Sequence, residues 1–271
     1  MGILGKRLGV AIPDTVLEEN DSLREKTVKL GVIARACAIY GVDVIEVFRD
    51  ERGRGESRLI RKVLEYLETP QYLRRKLYPL DEALRYAGLL PPLRIPSHKP
   101  KVPMDKLAVG EIREGVTDAE GRVDVGLDRP LILRERVGSK KRVTVKIVSK
   151  DPLTAVMTRR QDVHEYWGYE VESLTIDEVF GDARFGLKVG TSRFGNSLQS
   201  QVFLLREALL KGSSALLIFG SPARGLFDIV GPDLTKRVNF ILNIFVDQHV
   251  ETVRTEEAVA AALNLVNTLV I

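Results

Sequence analysis

Apolar positions change their period along the chain, and those changes divide it. Residues 7–13 are apolar after Arg7, residues 22–40 repeat apolar positions close to every 3.6 residues, and residues 42–48 are apolar apart from Asp43 and Glu46. This reads as strand, helix and strand, with Gly41 closing the helix, and a crossover of this size makes the two strands parallel. A loop rich in Gly and Arg follows over residues 49–56, then helical periodicity over 57–68 and 70–87. Pro91, Pro92, Pro96, Pro100 and Pro103 crowd the next span, and no helix or central strand survives that density.

Between residues 107 and 174 the pattern becomes one of short alternating runs (108–116, 122–126, 131–133, 142–148, 154–158 and 166–171) separated by Gly, Asp and Pro turns. That is the texture of a small β-barrel or sandwich. Parallel-strand and helix texture then returns: a strand at 186–190, a helix at 199–211, strands at 214–220 and 239–246, and a last helix from Thr255. The predicted fold is α/β with a parallel sheet, in which residues 1–90 and 175–271 are two halves of one domain and residues 91–174 are an inserted all-β module. Neither half has enough strands to be complete alone.

The last helix has the signs of a buried one. Thr255 suits its N-cap, Glu256 and Glu257 place acid in the first turn, and Ala258, Val259, Ala261, Ala262, Leu263 and Val266 make it apolar on nearly every side.

Composition narrows the function classes. With 271 residues, 44% hydrophobic and 29% charged, the chain can bury a good core. No run approaches the roughly eighteen apolar residues of a membrane helix, and the opening run is too short for a signal peptide, so a cytoplasmic location is expected. The single cysteine, Cys37, excludes disulfides and Cys-rich metal sites, and His98, His164 and His249 lack ligand spacing, so no metal is expected. The net charge is only +4, but the bases are clustered in a way that suits a polyanionic partner.

Three strand ends in the C-terminal half are followed by unusual loops: Gly190 to Ser197, Gly220 to Leu226, and Asn243 to Thr255. In open α/β sheets ligands sit beyond the carboxyl ends of the strands, so three such loops can build one pocket. The Gly-x-Gly-x-x-Gly of a dinucleotide site and the Gly-Lys-Ser/Thr of a P-loop are both missing, which argues against phosphate as the main ligand.

Gly190-Thr191-Ser192-Arg193, Phe219-Gly220-Ser221-Pro222-Ala223-Arg224-Gly225-Leu226, and Gln248 followed by Thr252-Val253-Arg254-Thr255-Glu256-Glu257-Ala258 together resemble the SPOUT class of S-adenosylmethionine-dependent RNA methyltransferases. More narrowly, the chain resembles the archaeal and eukaryotic family of that class with an OB-like domain inserted in the SPOUT fold. The resemblance implies a C-terminal deep trefoil knot, although connections between elements normally do not thread. It also implies a homodimer and a pocket for S-adenosylmethionine lined by Thr191, Ser192, Gly220, Gly225, Leu226, Asn243, Gln248, Thr252 and Val253. The chain departs from the family pattern at Val246-Asp247-Gln248-His249, where proline and glycine are common.

The implied activity is methylation of a base in RNA, with a uridine or pseudouridine of ribosomal RNA as acceptor by analogy. Arg193 is the candidate catalytic side chain, placing the target base or stabilising charge on it, with a phosphate or carboxylate contact as the equal alternative. For RNA binding, the bases concentrated over residues 134–150, among them Lys140, Lys141 and Arg142, suit a phosphate backbone. Arg159 and Arg160 extend that surface, Tyr166, Trp167 and Tyr169 are candidates to stack bases, and Arg52 and Arg54 flank glycines that can approach phosphate. The rival readings are a non-catalytic RNA-binding or ribosome-assembly factor with the same fold, and an α/β enzyme of small-molecule metabolism.

Overall fold

A computed structural model describes residues 6–212 and 214–270. The chain begins β1 (Leu8–Pro13), α1 (Leu23–Ile39), β2 (Val44–Phe48) and α2 (Ser57–Glu68). It continues through α3 (Gln71–Leu77) into β3 (Ile112–Thr117), β4 (Arg122–Asp124), β5 (Leu131–Leu133), β6 (Arg142–Lys150) and β7 (Leu153–Met157). The remainder is β8 (Glu170–Leu174), α4 (Ile176–Gly181), β9 (Leu187–Ser197), α5 (Leu198–Leu210), β10 (Ala215–Ile218), α6 (Leu226–Val230), α7 (Leu234–Arg237), β11 (Phe240–Asn243) and α8 (Thr255–Val270).

Two compact units result. Of the described residues, one comprises 6–65, 83–91, 169–212 and 214–270, the other 66–82 and 92–168. The first holds a six-stranded sheet in the order β11-β9-β10-β1-β2-β8, every pair parallel. All residues of β1, β2 and β10 are buried, as continuous apolar runs must be when both faces of a parallel sheet are covered. The crossover α1 starts at Ser22, whose hydroxyl accepts from the Glu25 amide at 3.2 Å while Glu25 accepts from the Ser22 amide at 3.2 Å. It ends against Gly41, which takes a positive φ of 68°.

The second unit is a closed barrel in the order β3-β4-β5-β7-β6. Its interior is aliphatic, built from Val123, Val125, Leu131, Val143, Val145, Ile147 and Ala155 among others.

Two expectations are corrected. Residues 170–174 were assigned to the inserted module, but β8 pairs in parallel with β2, from Val44 opposite Glu170 to Phe48 opposite Leu174, and is an edge of the α/β sheet. An edge strand keeps polar side chains in solvent, so Glu-Val-Glu-Ser-Leu carries the same alternation as a barrel strand. The helix expected over 70–87 stops at Leu77, because Pro79 holds Tyr78 extended (φ −122°, ψ 103°) and cannot itself continue the hydrogen-bond ladder.

On β2, Glu46 is fully buried within the sheet unit. Arg184 serves it at 3.4 Å, but the same guanidinium is engaged by Glu172 at 2.5 Å and Asp182 at 2.7 Å. Burial, aided by a hydrogen bond with Asp182 and that residue's charge, pushes the Glu46 carboxyl from the ordinary 4.5 to about 8. Between those values the folded chain holds a proton that the unfolded chain has released, so this group's contribution to stability declines as pH rises from 4.5 to about 8. Glu46→Gln should therefore flatten the fall in urea unfolding midpoint between about pH 5 and about pH 8, and be more stable than wild type at the upper value.

Candidate functional site

At the carboxyl ends of β9, β10 and β11 the three loops enclose a cavity of about 300 Å³. Its first wall is a bulge. Ile241 of β11 pairs with Gly190 and the next residue, Leu242, pairs with Asn196, so residues 191–195 leave the ladder and β9 resumes beyond them. The bulge is fastened at several points. Thr191 Oγ1 donates to the Ile218 carbonyl at 3.3 Å, the Phe194 amide to Ser192 Oγ at 3.2 Å, and Asn243 Nδ2 to the Arg193 carbonyl at 3.1 Å. Gly195 closes it, since a Cβ there would lie 2.7 Å from the Ile241 carbonyl oxygen.

The second wall is the turn after β10. The Ser221 amide donates to the Arg224 carbonyl at 2.8 Å and the Arg224 amide to Ser221 Oγ at 3.1 Å. Arg224 turns its guanidinium away to Asp50 (2.9 Å from Nε) and to Glu18 (3.0 Å from Nη2). The Asp50 side chain is only 1% exposed and also accepts from Thr15 Oγ1 at 3.0 Å. The turn after β10 is thus anchored to the loops that follow β1 and β2. The Gly225 amide donates to Asp228 Oδ2 at 3.0 Å, which caps α6.

The third wall is the segment between β11 and α8. Asn243 Oδ1 accepts from the Phe245 amide at 3.1 Å, and Gln248 Nε2 donates to the carbonyls of Val250 (2.6 Å) and Glu251 (3.0 Å), folding the loop on itself. Thr255 is not the N-cap expected of it. It is 4% exposed and its hydroxyl donates to the Gly220 carbonyl at 3.3 Å, joining the third wall to the second. The capping position falls to Arg254, whose amide is held by Glu257 Oε2 at 2.9 Å.

Of the residues expected in the pocket, Thr191, Ser192, Gly220, Gly225, Asn243, Gln248, Thr252 and Val253 line this cavity, as does Arg193. Leu226 does not. Its side chain is fully buried in the core and would lie 3.2 Å from a Cβ placed on Gly190. The sequence reading missed the aromatic linings Phe194, Phe227 and Phe245 and the carboxylates Asp228 and Glu251. Asp228 had a usable signal, three residues beyond Gly225 at the start of a helix.

The expected RNA contacts divide sharply. Lys140 and Lys141 are exposed, on a loop whose amides donate to the Thr117 carbonyl (2.8 Å) and to Thr117 Oγ1 (2.9 Å). Arg142 instead faces into its unit, pairing with Glu68 at 2.5 Å and Glu114 at 2.6 Å. Arg160 shares Glu68 at 2.5 Å and donates to the Trp167 carbonyl at 3.0 Å. Burial works against charge on Glu114, but Arg142 and Arg160 outweigh it and hold its pKa below the usual carboxylate range.

Trp167 and Tyr169 are buried, donating to Glu114 Oε1 at 2.6 Å and to the Leu64 carbonyl at 3.0 Å, so neither is a stacking surface. Arg142 and Arg160 are thus engaged with carboxylates inside their unit, and the two aromatics are buried. Arg159 is exposed beside Asp162, a surface pair that holds it weakly. Arg54 is exposed, and exposed Arg52 donates to the carbonyl of Asp228, a residue that lines the cavity.

The arrangement suits a small organic ligand: many backbone groups from glycine turns, a few aromatic rings, one cation and two carboxylates. Among the described residues no group of three or more His, Cys, Asp or Glu side chains is placed to hold a metal ion, and no helix is long and apolar enough to cross a membrane. A Cβ at Gly220 would stand 2.7 Å from the Arg224 carbonyl oxygen, so Gly220→Ala must displace backbone. We expect it to cost about 1–3 kcal/mol in chemical denaturation, as overpacking does.

Comparison with known proteins places the chain among relatives. Residues 7–266 match the family model described as putative RNA methyltransferase. An uncharacterised protein of Halobacterium salinarum is 32% identical, the match covering 94% of this chain and 96% of that protein. Proteins named 28S rRNA (uridine-N(3))-methyltransferase from Mus musculus and Homo sapiens are 31% and 30% identical, each over 94% of this chain and over 74% and 76% of theirs. The chain belongs to the family of putative RNA methyltransferases.

Proposed function

We propose that the chain methylates the N3 ring nitrogen of a uridine in large-subunit ribosomal RNA, with S-adenosylmethionine as donor. The observation that carries this reading is the meeting of the three loops in one cavity, with Arg193 in its wall. The names of the mouse and human relatives support the acceptor. The lining fits the donor: glycine turns leave backbone amides and carbonyls accessible to an adenosine and an amino acid, and Gly220, Gly225, Asn243, Thr252 and Val253 are the residues that would hold it.

When bound, S-adenosylmethionine supplies a methyl group activated by a sulfonium. Displacement by the uridine nitrogen would form the new bond to the methyl carbon and break the carbon–sulfur bond, releasing the donor as a thioether. The N3 proton must leave the base, and its negative charge then spreads onto the flanking carbonyl oxygens. Arg193 is suited to stabilise that charge and to align the ring, and Asp228 and Glu251 are the lining carboxylates that can accept the proton.

Other parts of the reading rest on the SPOUT resemblance. The chain leaves edge strand β11, yet Thr255 at the start of α8 returns to the Gly220 carbonyl beyond β10, which supports a threaded, knotted terminus. Val28, Val32 and Ile39 on α1 are 45%, 44% and 62% exposed, an apolar face that a second copy would cover in a homodimer. The barrel, OB-like in strand number and closure, presents Lys140 and Lys141 to RNA phosphates.

Calorimetric titration with S-adenosylhomocysteine should show stoichiometric binding, and absence of heat at high protein concentration would refute the methyltransferase reading. Replacing Lys140 and Lys141 with Glu should lower the slope of log affinity for RNA against log salt by roughly 2, about one for each lost phosphate contact. Arg142→Ala should act differently, stranding buried Glu68 and Glu114 and costing the barrel about 3–5 kcal/mol, read from the fluorescence of Trp167.

A further inference from the structure

Among the described phenylalanines Phe194 and Phe203 are both largely exposed, and of these two it is Phe194 that lines the cavity. Phe48, Phe185 and Phe219 are each at most 1% exposed, whereas Phe194 is 70% exposed at the cavity wall. Its backbone is not loose: the bulge is tied by the Ser192, Asn243 and Thr191 hydrogen bonds and closed by Gly195 against the Ile241 carbonyl. The Arg193 guanidinium lies 4.8 Å from the centre of the Phe194 ring, so a cation covers one face while the ring remains largely in solvent. A rigidly presented aromatic beside a cation, next to a cavity, is the arrangement by which proteins hold an unstacked nucleobase.

We propose that Phe194 is the stacking platform for an unpaired base of the RNA substrate, and that the Arg193–Phe194 pair holds the extruded uridine, or its immediate neighbour, at the cavity. This deepens the RNA-methylation reading and rests on it. A base inside a helix presents no free ring nitrogen, so extrusion must precede methyl transfer, and stacking on Phe194 offsets part of the lost base stacking. Phe194 is thus a positioning residue for RNA, with no part in holding the donor.

The test compares wild type with Phe194→Ala, Phe194→Leu and Phe194→Trp. Two RNA probes are used, fluorescein-labelled oligouridylate and unmodified large-subunit ribosomal RNA transcript, alongside S-adenosylhomocysteine titration and sedimentation. The Ala and Leu variants should bind oligouridylate roughly 10- to 100-fold more weakly than wild type and show a KM for the transcript raised by a similar factor, with kcat far less affected, while Trp stays near wild type. S-adenosylhomocysteine affinity and subunit stoichiometry should be unchanged in all three. RNA affinity retained in Phe194→Leu would overturn the proposal, because an aliphatic side chain offers no ring face. A changed sedimentation coefficient in Phe194→Ala would overturn it too, making the ring a subunit contact. Wild type inert toward S-adenosylhomocysteine and RNA alike would overturn the methyltransferase reading first, and this proposal with it.

Discussion

The cavity depends above all on one guanidinium. Arg224 comes from the turn after β10, yet its charge is divided between Asp50, beyond β2, and Glu18, beyond β1. Asp50 is deeply buried, and this partner and the Thr15 hydroxyl supply hydrogen bonds that water cannot. Packing reinforces the arrangement, because a Cβ on Gly53 would sit within 2.1 Å of Arg224 Nη2 and 2.3 Å of Glu18 Oε1. Three strand ends are thereby set relative to one another. With its side chain anchored outward, Arg224 leaves its own backbone to form the Ser221 turn, and Gly220 is free to present its carbonyl to Thr255.

Much of the fold was legible in the chain because its signals are local. The apolar runs of β1, β2 and β10, the period of α1 and the glycine at its end lie within a few residues of each other, and pattern reading recovers them. The proline-dense span announced a change of architecture for the same reason. Glu170–Leu174 misled because alternation records that one face is wet, without recording which sheet supplies the dry one. Eight of the nine residues that the resemblance implies for the pocket line one cavity; Leu226 does not, because its neighbours in sequence face the cavity while its own side chain points into the core.

Charged residues were the least legible. Arg142, Lys140 and Lys141 are adjacent in sequence and indistinguishable in composition, yet the lysines project into solvent while the arginine satisfies two buried carboxylates, one of them 74 residues away. The fork of a guanidinium suits that duty and a lysine ammonium does not. The basic cluster over residues 134–150 therefore combines two functions, support within the barrel and a charged exterior. Arg224 and Asp50, separated by 174 residues, illustrate the same limit in the sheet unit.

The bulge in β9 separates scaffold from content. Because Ile241 and Leu242 are consecutive on β11 but face Gly190 and Asn196 on β9, the ladder behaves like a seam that closes behind an inserted piece of cloth. The alternation of β11 is undisturbed whatever the enclosed residues are, provided that a residue without a side chain occupies the closing position at Gly195. Residues 192–194 can therefore turn their side chains toward the cavity without altering the order or register of the sheet that carries them.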